Sequence, residues 1–212
     1  MTSKTQKLLK LLDGQPVIPV LKIERAADAV PLARALARGG LRAIEITLRT
    51  PDALECIRRV AAEVEDSIVG AGTVLNARQF AEAEAAGSKF IVSPGLTPEL
   101  IAAAAKSDVP LLPGTITPGE IMGALEGGID FVKFFPAEQA GGAAFVKALA
   151  SPLADVKFCP TGGISAKNAR DYLSLPNVVC VGGSWVAPDN LINAGDWAGI
   201  EALAAEANKL RA

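Results

Sequence analysis

Short apolar runs alternate with alanine-rich helical stretches about every twenty-five residues, and this alternation restricts the fold more than any other feature of the chain. The pattern predicts strands at 17–21, 43–48, 68–70, 90–92, 111–112, 131–133, 157–159 and 178–181. Between and after them it predicts helices at 26–38, 51–64, 77–86, 98–105, 118–125, 142–150, 166–173 and 198–210, with one further helix, 4–12, ahead of the series. The strand segments are continuously apolar, as in a parallel sheet covered on both faces. Thr50-Pro51 and Thr97-Pro98 place a capping side chain before a proline that suits the first helical turn. Eight βα units without an intervening linker predict an α/β chain folded as a (β/α)₈ TIM barrel with an extra N-terminal helix, spanning residues 1–212 as one domain. An open doubly wound sheet alternates in the same way, but the first βα turn here carries no GxGxxG-like phosphate loop. About two hundred residues is near the lower limit for such a barrel, which implies a shallow, open site.

Composition excludes several classes of chemistry. Net charge is −2 with both signs scattered, and no basic patch interleaves with aromatics, so no nucleic-acid partner is expected. No apolar stretch approaches a membrane span and the first residues do not read as a signal peptide, so a cytoplasmic protein without membrane contact is expected. Cys56, Cys159 and Cys180 are far apart and odd in number, which speaks for buried apolar roles and against a disulfide framework or structural zinc site. There is no histidine. Ser-His-Asp and Cys-His nucleophiles are therefore excluded, and the commonest ligand of catalytic zinc is missing. No metal and no cofactor are called for. What remains is covalent amine chemistry with a carboxylate to move protons.

Lys133 fits that requirement. It lies in Asp130-Phe131-Val132-Lys133-Phe134-Phe135-Pro136-Ala137-Glu138, at the end of an apolar strand. Desolvation there disfavours an ammonium, and a neutral amine attacks a carbonyl carbon to give a Schiff base. The alternative is a lysine whose amine reaches out to water. Barrel chemistry sits at the C-terminal strand ends, so the other βα loops carry the argument. Glu45 and Thr47 share one strand face while Ile44, Ile46 and Leu48 share the other. The apolar set wants the helix-covered exterior, which turns Glu45 into the barrel. A carboxylate there is either an ion-pair partner of Lys133 or a proton shuttle beside an imine, and in both cases the two are neighbours.

Arg49, at the end of the same strand, offers a planar fork suited to a carboxylate, such as the one beside the carbonyl of a 2-keto acid. Thr161-Gly162-Gly163 and Gly182-Gly183-Ser184 follow strands seven and eight, where barrels often hold a phosphate on uncovered backbone N–H groups. Gly72-Thr73 leaves backbone N–H groups uncovered in the same way, and Pro94 and Phe135 offer rigid apolar surface.

Six runs in one order, Glu45 to Thr50, Gly70 to Leu75, Ser93 to Thr97, Lys133 to Glu138, Pro160 to Ser165 and Gly182 to Trp185, together resemble the bacterial 2-keto-3-deoxy-6-phosphogluconate (KDPG) and 4-hydroxy-2-oxoglutarate aldolases. These are class I lyases, known from the Entner–Doudoroff pathway. The resemblance covers nearly the whole chain, from Pro16 to about Ala194. It implies reversible cleavage of a phosphorylated 2-keto-3-deoxy sugar acid to pyruvate and glyceraldehyde 3-phosphate, without a metal. It also implies roles: Lys133 forms the Schiff base with pyruvate and Glu45 moves protons through water. Arg49 and Thr73 hold the pyruvyl carboxylate with Pro94 nearby, and Phe135 packs by the substrate. Thr161 contacts hydroxyls, and Gly162, Gly163, Gly182, Gly183 and Ser184 hold the phosphate. A homotrimer is implied as well. The fifth loop departs from the family form at Thr115-Ile116, which leaves the choice between gluconate and galactonate epimers open. The galactonate-epimer aldolase and a non-catalytic sugar-phosphate-binding barrel are the alternatives.

Overall fold

The computed structural model describes residues 2–211; Met1 and Ala212, the ends of the expected domain, lie outside the described residues. Eight parallel strands form the sheet: β1 (Val17–Leu21), β2 (Ala43–Thr47), β3 (Ile68–Gly72), β4 (Ile91–Val92), β5 in two segments (Leu111–Leu112 and Gly114–Thr115), β6 (Phe131–Phe134), β7 (Lys157–Pro160) and β8 (Val181–Gly183). β5 is split because Pro113 lacks the N–H that a ladder needs. Its first segment pairs with β4 and its second with β6. From there the order runs β4-β3-β2-β1-β8 on one side and β6-β7 on the other. The bridges Phe158↔Val178 and Thr161↔Gly182 join β7 to the chain of β8, so the sheet closes on itself. This is the expected (β/α)₈ barrel.

Helices α1 (Ser3–Leu12), α2 (Ala26–Arg38), α3 (Ala53–Glu63), α4 (Ala77–Ala85), α5 (Pro98–Lys106), α6 (Pro118–Glu126), α7 (Gly142–Leu149), α8 (Ala169–Leu173), α9 (Asp189–Ala194) and α10 (Trp197–Asn208) accompany the strands. Several boundaries differ from the sequence expectation, each for a local reason. α3 starts at Ala53 rather than at Pro51, because the polar side chains before it are used elsewhere: Thr50 Oγ1 donates to the Ile23 carbonyl, and Asp52 accepts from the Ala26 N–H. α8 starts at Ala169 rather than at residue 166, because Asn168 accepts from the Ser165 N–H and donates to the Gly163 carbonyl, which holds the intervening residues in turns. The last strand begins at Val181 rather than at Val178, since its ladder with β1 starts at Val17↔Val181. The six-residue α9 is too short to show a helical period and was not expected.

Two apolar clusters divide the interior. The larger lies between strands and helices and takes Ile44, Ile46, Val132, Phe134 and Phe158. The smaller fills the lower barrel with Ile18, Ala43, Phe90, Val92, Leu112, Phe131, Cys159 and Cys180, and is closed from below by Leu8 and Leu12 of α1. Thus α1 plugs the N-terminal end of the barrel. Its start is fastened by Asp130, which accepts from Thr5 Oγ1 and from the Thr2 N–H. All three cysteines are buried. Among the described residues no helix is long and apolar enough to cross a membrane.

Candidate active site

Strand alternation places the reactive groups. On β6, Val132 and Phe134 pack outward in the helix-covered cluster while Phe131 and Lys133 face the axis. On β2, Ile44 and Ile46 pack outward and Glu45 faces the axis. The two strands stand on opposite walls, and their long side chains meet in the middle: Lys133 Nζ lies 3.6 Å from Glu45 Oε1. Both side chains are almost wholly buried, at 7% and 4% exposure. The lysine therefore does not reach out to bulk water.

The pair is close, but one of its oxygens has no hydrogen-bond partner within the protein. Glu45 Oε1 is buried and makes no hydrogen bond. Such an oxygen costs stability, on the order of 1–3 kcal/mol, so its presence points to a role beyond packing. The room for it comes from Gly72 on β3. A Cβ there would stand 2.0 Å from Glu45 Oε1. The next residue, Thr73, has φ of 57°, an unusual conformation for a β-branched side chain and one that clusters at functional sites. Thr47, on the same face as Glu45, donates to the Leu21 carbonyl and fixes the end of β2 against β1.

Above the pair opens a cavity of about 310 Å³ at the C-terminal strand ends. Its wall brings together Arg49, Phe135, Thr161, Gly162, Gly163, Gly182, Gly183 and Ser184, all of them expected site residues. Lys133 and Glu45 lie beneath this wall: Val20, in the wall, is the register partner of Glu45, and the Phe135 ring centroid stands 5.1 Å from Lys133 Nζ. Thr73 and Pro94 are not in the wall of this cavity. Pro94 is nonetheless tied to the centre, because its carbonyl packs against Gly114, the register partner of Lys133. The departure at Thr115 also falls here, with Thr115 Oγ1 donating to the Lys133 carbonyl at 3.5 Å.

Glycines shape the loops after β7 and β8. Gly162 and Gly163 take φ of 102° and 75°, a left-handed pair that other residues resist. Gly182 lets Thr161 approach, since a Cβ would lie 2.3 Å from Thr161 Oγ1. The first loop is braced from β6: the Ala137 and Glu138 N–H groups donate to the Thr161 and Gly162 carbonyls, and buried Tyr172 donates its hydroxyl to Glu138. Desolvation and this carboxylate push the Tyr172 phenol well above its ordinary range, so it remains a donor.

Five wall residues lie outside the expected set of binding residues: Val20, Lys22, Ile164, Ala187 and Asp189. Lys22 stands just past the end of β1. Its amine is paired with Glu24 at 2.5 Å, and that hydrogen bond and charge raise its pKa above the ordinary lysine value. A firmly protonated amine is a poor nucleophile. Among the described residues no cluster of three or more Cys, Asp or Glu side chains is placed to hold a metal ion.

Comparison with known proteins agrees with this geometry. A family model described as KDPG and KHG aldolase matches residues 8–203. A 2-dehydro-3-deoxy-phosphogluconate aldolase from Pseudoalteromonas atlantica is 53% identical, over 91% of this chain and 89% of that protein. A KHG/KDPG aldolase from Escherichia coli is 49% identical, over 93% and 92%. Among solved structures, the KDPG aldolase of Legionella pneumophila, with pyruvate captured at low pH as a covalent carbinolamine intermediate, superposes with a TM-score of 0.92 at 44% identity, covering 95% of this chain and 98% of that one.

Proposed function

Because the chain belongs to the KDPG and KHG aldolase family, we propose that Lys133 and Glu45 carry its class I carbon–carbon cleavage and that the surrounding loops hold the substrate at its two ends. The enzyme is an aldehyde-lyase that splits 2-dehydro-3-deoxy-6-phosphogluconate into pyruvate and glyceraldehyde 3-phosphate. The observation that carries the assignment of residues is the buried Lys133–Glu45 contact with its unsatisfied carboxylate oxygen.

Lys133 Nζ attacks the C2 carbonyl, and the resulting carbinolamine loses water to give a protonated imine. The imine draws in the electron pair of the C3–C4 bond as it breaks. Glu45 takes the proton of the C4 hydroxyl through water, the aldehyde leaves, and the same proton returns to C3 of the enamine. Water then adds to the imine and pyruvate is released from Lys133. Glu45 Oε1, free of other partners, is able to accept from the carbinolamine hydroxyl or a bridging water throughout. Arg49 and Thr73 hold the pyruvyl carboxylate with Pro94 nearby, Phe135 packs by the substrate, and Thr161 contacts the substrate hydroxyls. Gly162, Gly163, Gly182, Gly183 and Ser184 bind the phosphate, a reading supported by their convergence on one cavity wall.

The enzyme also turns over 4-hydroxy-2-oxoglutarate, whose reacting carbons are the same. It works as one barrel domain, residues 1–212, assembled as a homotrimer; exposed Leu75, Met122 and Leu125 offer apolar surface for association. The location is cytoplasmic, where buried cysteines such as these three stay reduced and serve as small apolar side chains. Borohydride reduction in the presence of pyruvate, read by mass spectrometry, is expected to label Lys133 alone. Lys133→Ala is expected to abolish the label and lower turnover at least about 10⁴-fold. Labelling at Lys22 instead would overturn the assignment.

A further inference from the structure

We propose that Lys22 is a specificity-determining residue of this enzyme, the side-chain cation that meets the substrate phosphate. The inference rests on the reading that the loops after β7 and β8 bind that phosphate.

β1 runs between β8 and β2, with Pro19 paired to Gly183 and Val20 paired to Glu45. Its C-terminal end therefore opens between the Ser184 loop and the loop of Arg49, and Lys22 stands in the wall of the same cavity as both. Charge balance then singles it out. The wall carries two cations, Lys22 and Arg49, and one anion, Asp189. The substrate brings a carboxylate and a phosphate dianion to that wall. The carboxylate belongs at the deep end, beside the carbonyl that Lys133 attacks, and engages Arg49. The phosphate is then left with backbone N–H groups, the Ser184 hydroxyl and a nearby aspartate, unless Lys22 supplies the counter-charge.

Lys22 is free to do so. Its present partner, Glu24, holds it at 2.5 Å, but the two side chains are 47% and 56% exposed. An exposed pair of this kind is worth little and exchanges readily for a dianion seated on backbone donors. Glu24 thus acts as a stand-in, keeping the amine charged and close to the mouth until phosphate arrives.

Steady-state kinetics of the full-length chain on KDPG and on unphosphorylated 4-hydroxy-2-oxoglutarate test this. Lys22→Gln is expected to lower the ratio of kcat/KM for the phosphorylated over the unphosphorylated substrate about five-fold, through KM, and to flatten the rise of KM with salt. Lys22→Arg restores the ratio, and Glu24→Gln lowers KM for KDPG about two-fold. An unchanged ratio in Lys22→Gln, or no restoration by Lys22→Arg, overturns the proposal. Ser184→Ala separates the two readings. If it raises KM for KDPG while Lys22→Gln does not, only the role of Lys22 falls. If neither variant moves KM, the phosphate site itself is misplaced and both readings fall.

Discussion

The barrel holds a buried acid near each end, and the two are managed in opposite ways. At the floor, Asp130 is 7% exposed and accepts from Thr5 Oγ1 and the Thr2 N–H, fastening α1. Desolvation alone would raise its pKa; hydrogen bonds, that from Thr5 first, together with the positive charge of the N-terminal amine outweigh it and hold the carboxyl below the ordinary range. At the mouth, Glu45 is 3% exposed, and its Oε1 faces Lys133 without a hydrogen bond. The floor acid spends its acceptors on the fold. The mouth acid leaves one without a protein donor, as the chemistry proposed for it requires. Similar burial therefore says little about role; what differs is whether the polar atoms are saturated.

Substitutions can break or sharpen this contrast. The largest expected effect is at the mouth: Glu45→Gln lowers kcat about 10²- to 10³-fold, the range for loss of a general acid–base, and slows proton exchange at the pyruvate methyl group as followed by NMR in deuterated water. If Glu45→Gln turns over normally, the contrast fails. Next is the plug. Leu8→Ala should cost about 2–4 kcal/mol in chemical denaturation, because Leu8 is 1% exposed in the lower cluster, while kcat changes less than two-fold. The smallest effect is in acid. The folded pKa of Asp130 lies below its unfolded value, so its contribution is fully present above about pH 4 and fades as pH falls through the folded value. Asp130→Asn should therefore flatten the acid limb of the stability curve, by about 1 kcal/mol, with turnover within two-fold.

The same contrast explains what the sequence could tell. Inward and outward faces of β2 and β6 were legible because strand alternation fixes them once a barrel is assumed, and Glu45 and Lys133 follow from that. Strand β1 and helix α2 were legible to the residue, being apolar and periodic segments without competing side chains. The start of α3 was not, because Thr50 and Asp52 bond to α2 and the loop before it, partners no local rule foresees. The bonding of Asp130 was hidden for the same reason: Thr5 lies 125 positions away in the chain. The place of Lys22 in the cavity wall was missed because its meaning depends on closure of β8 against β1, which brings Ser184 beside it.

The plugged floor has one more outcome. With α1 sealing the lower end, traffic in and out uses the opposite doorway, and Lys133, proposed to keep hold of pyruvate, sits deeper than the loops assigned to the phosphorylated half. The two fragments are stacked like plates in a tube: the aldehyde, nearer the opening, has to depart first, and the keto acid can follow only after water has cut its tether.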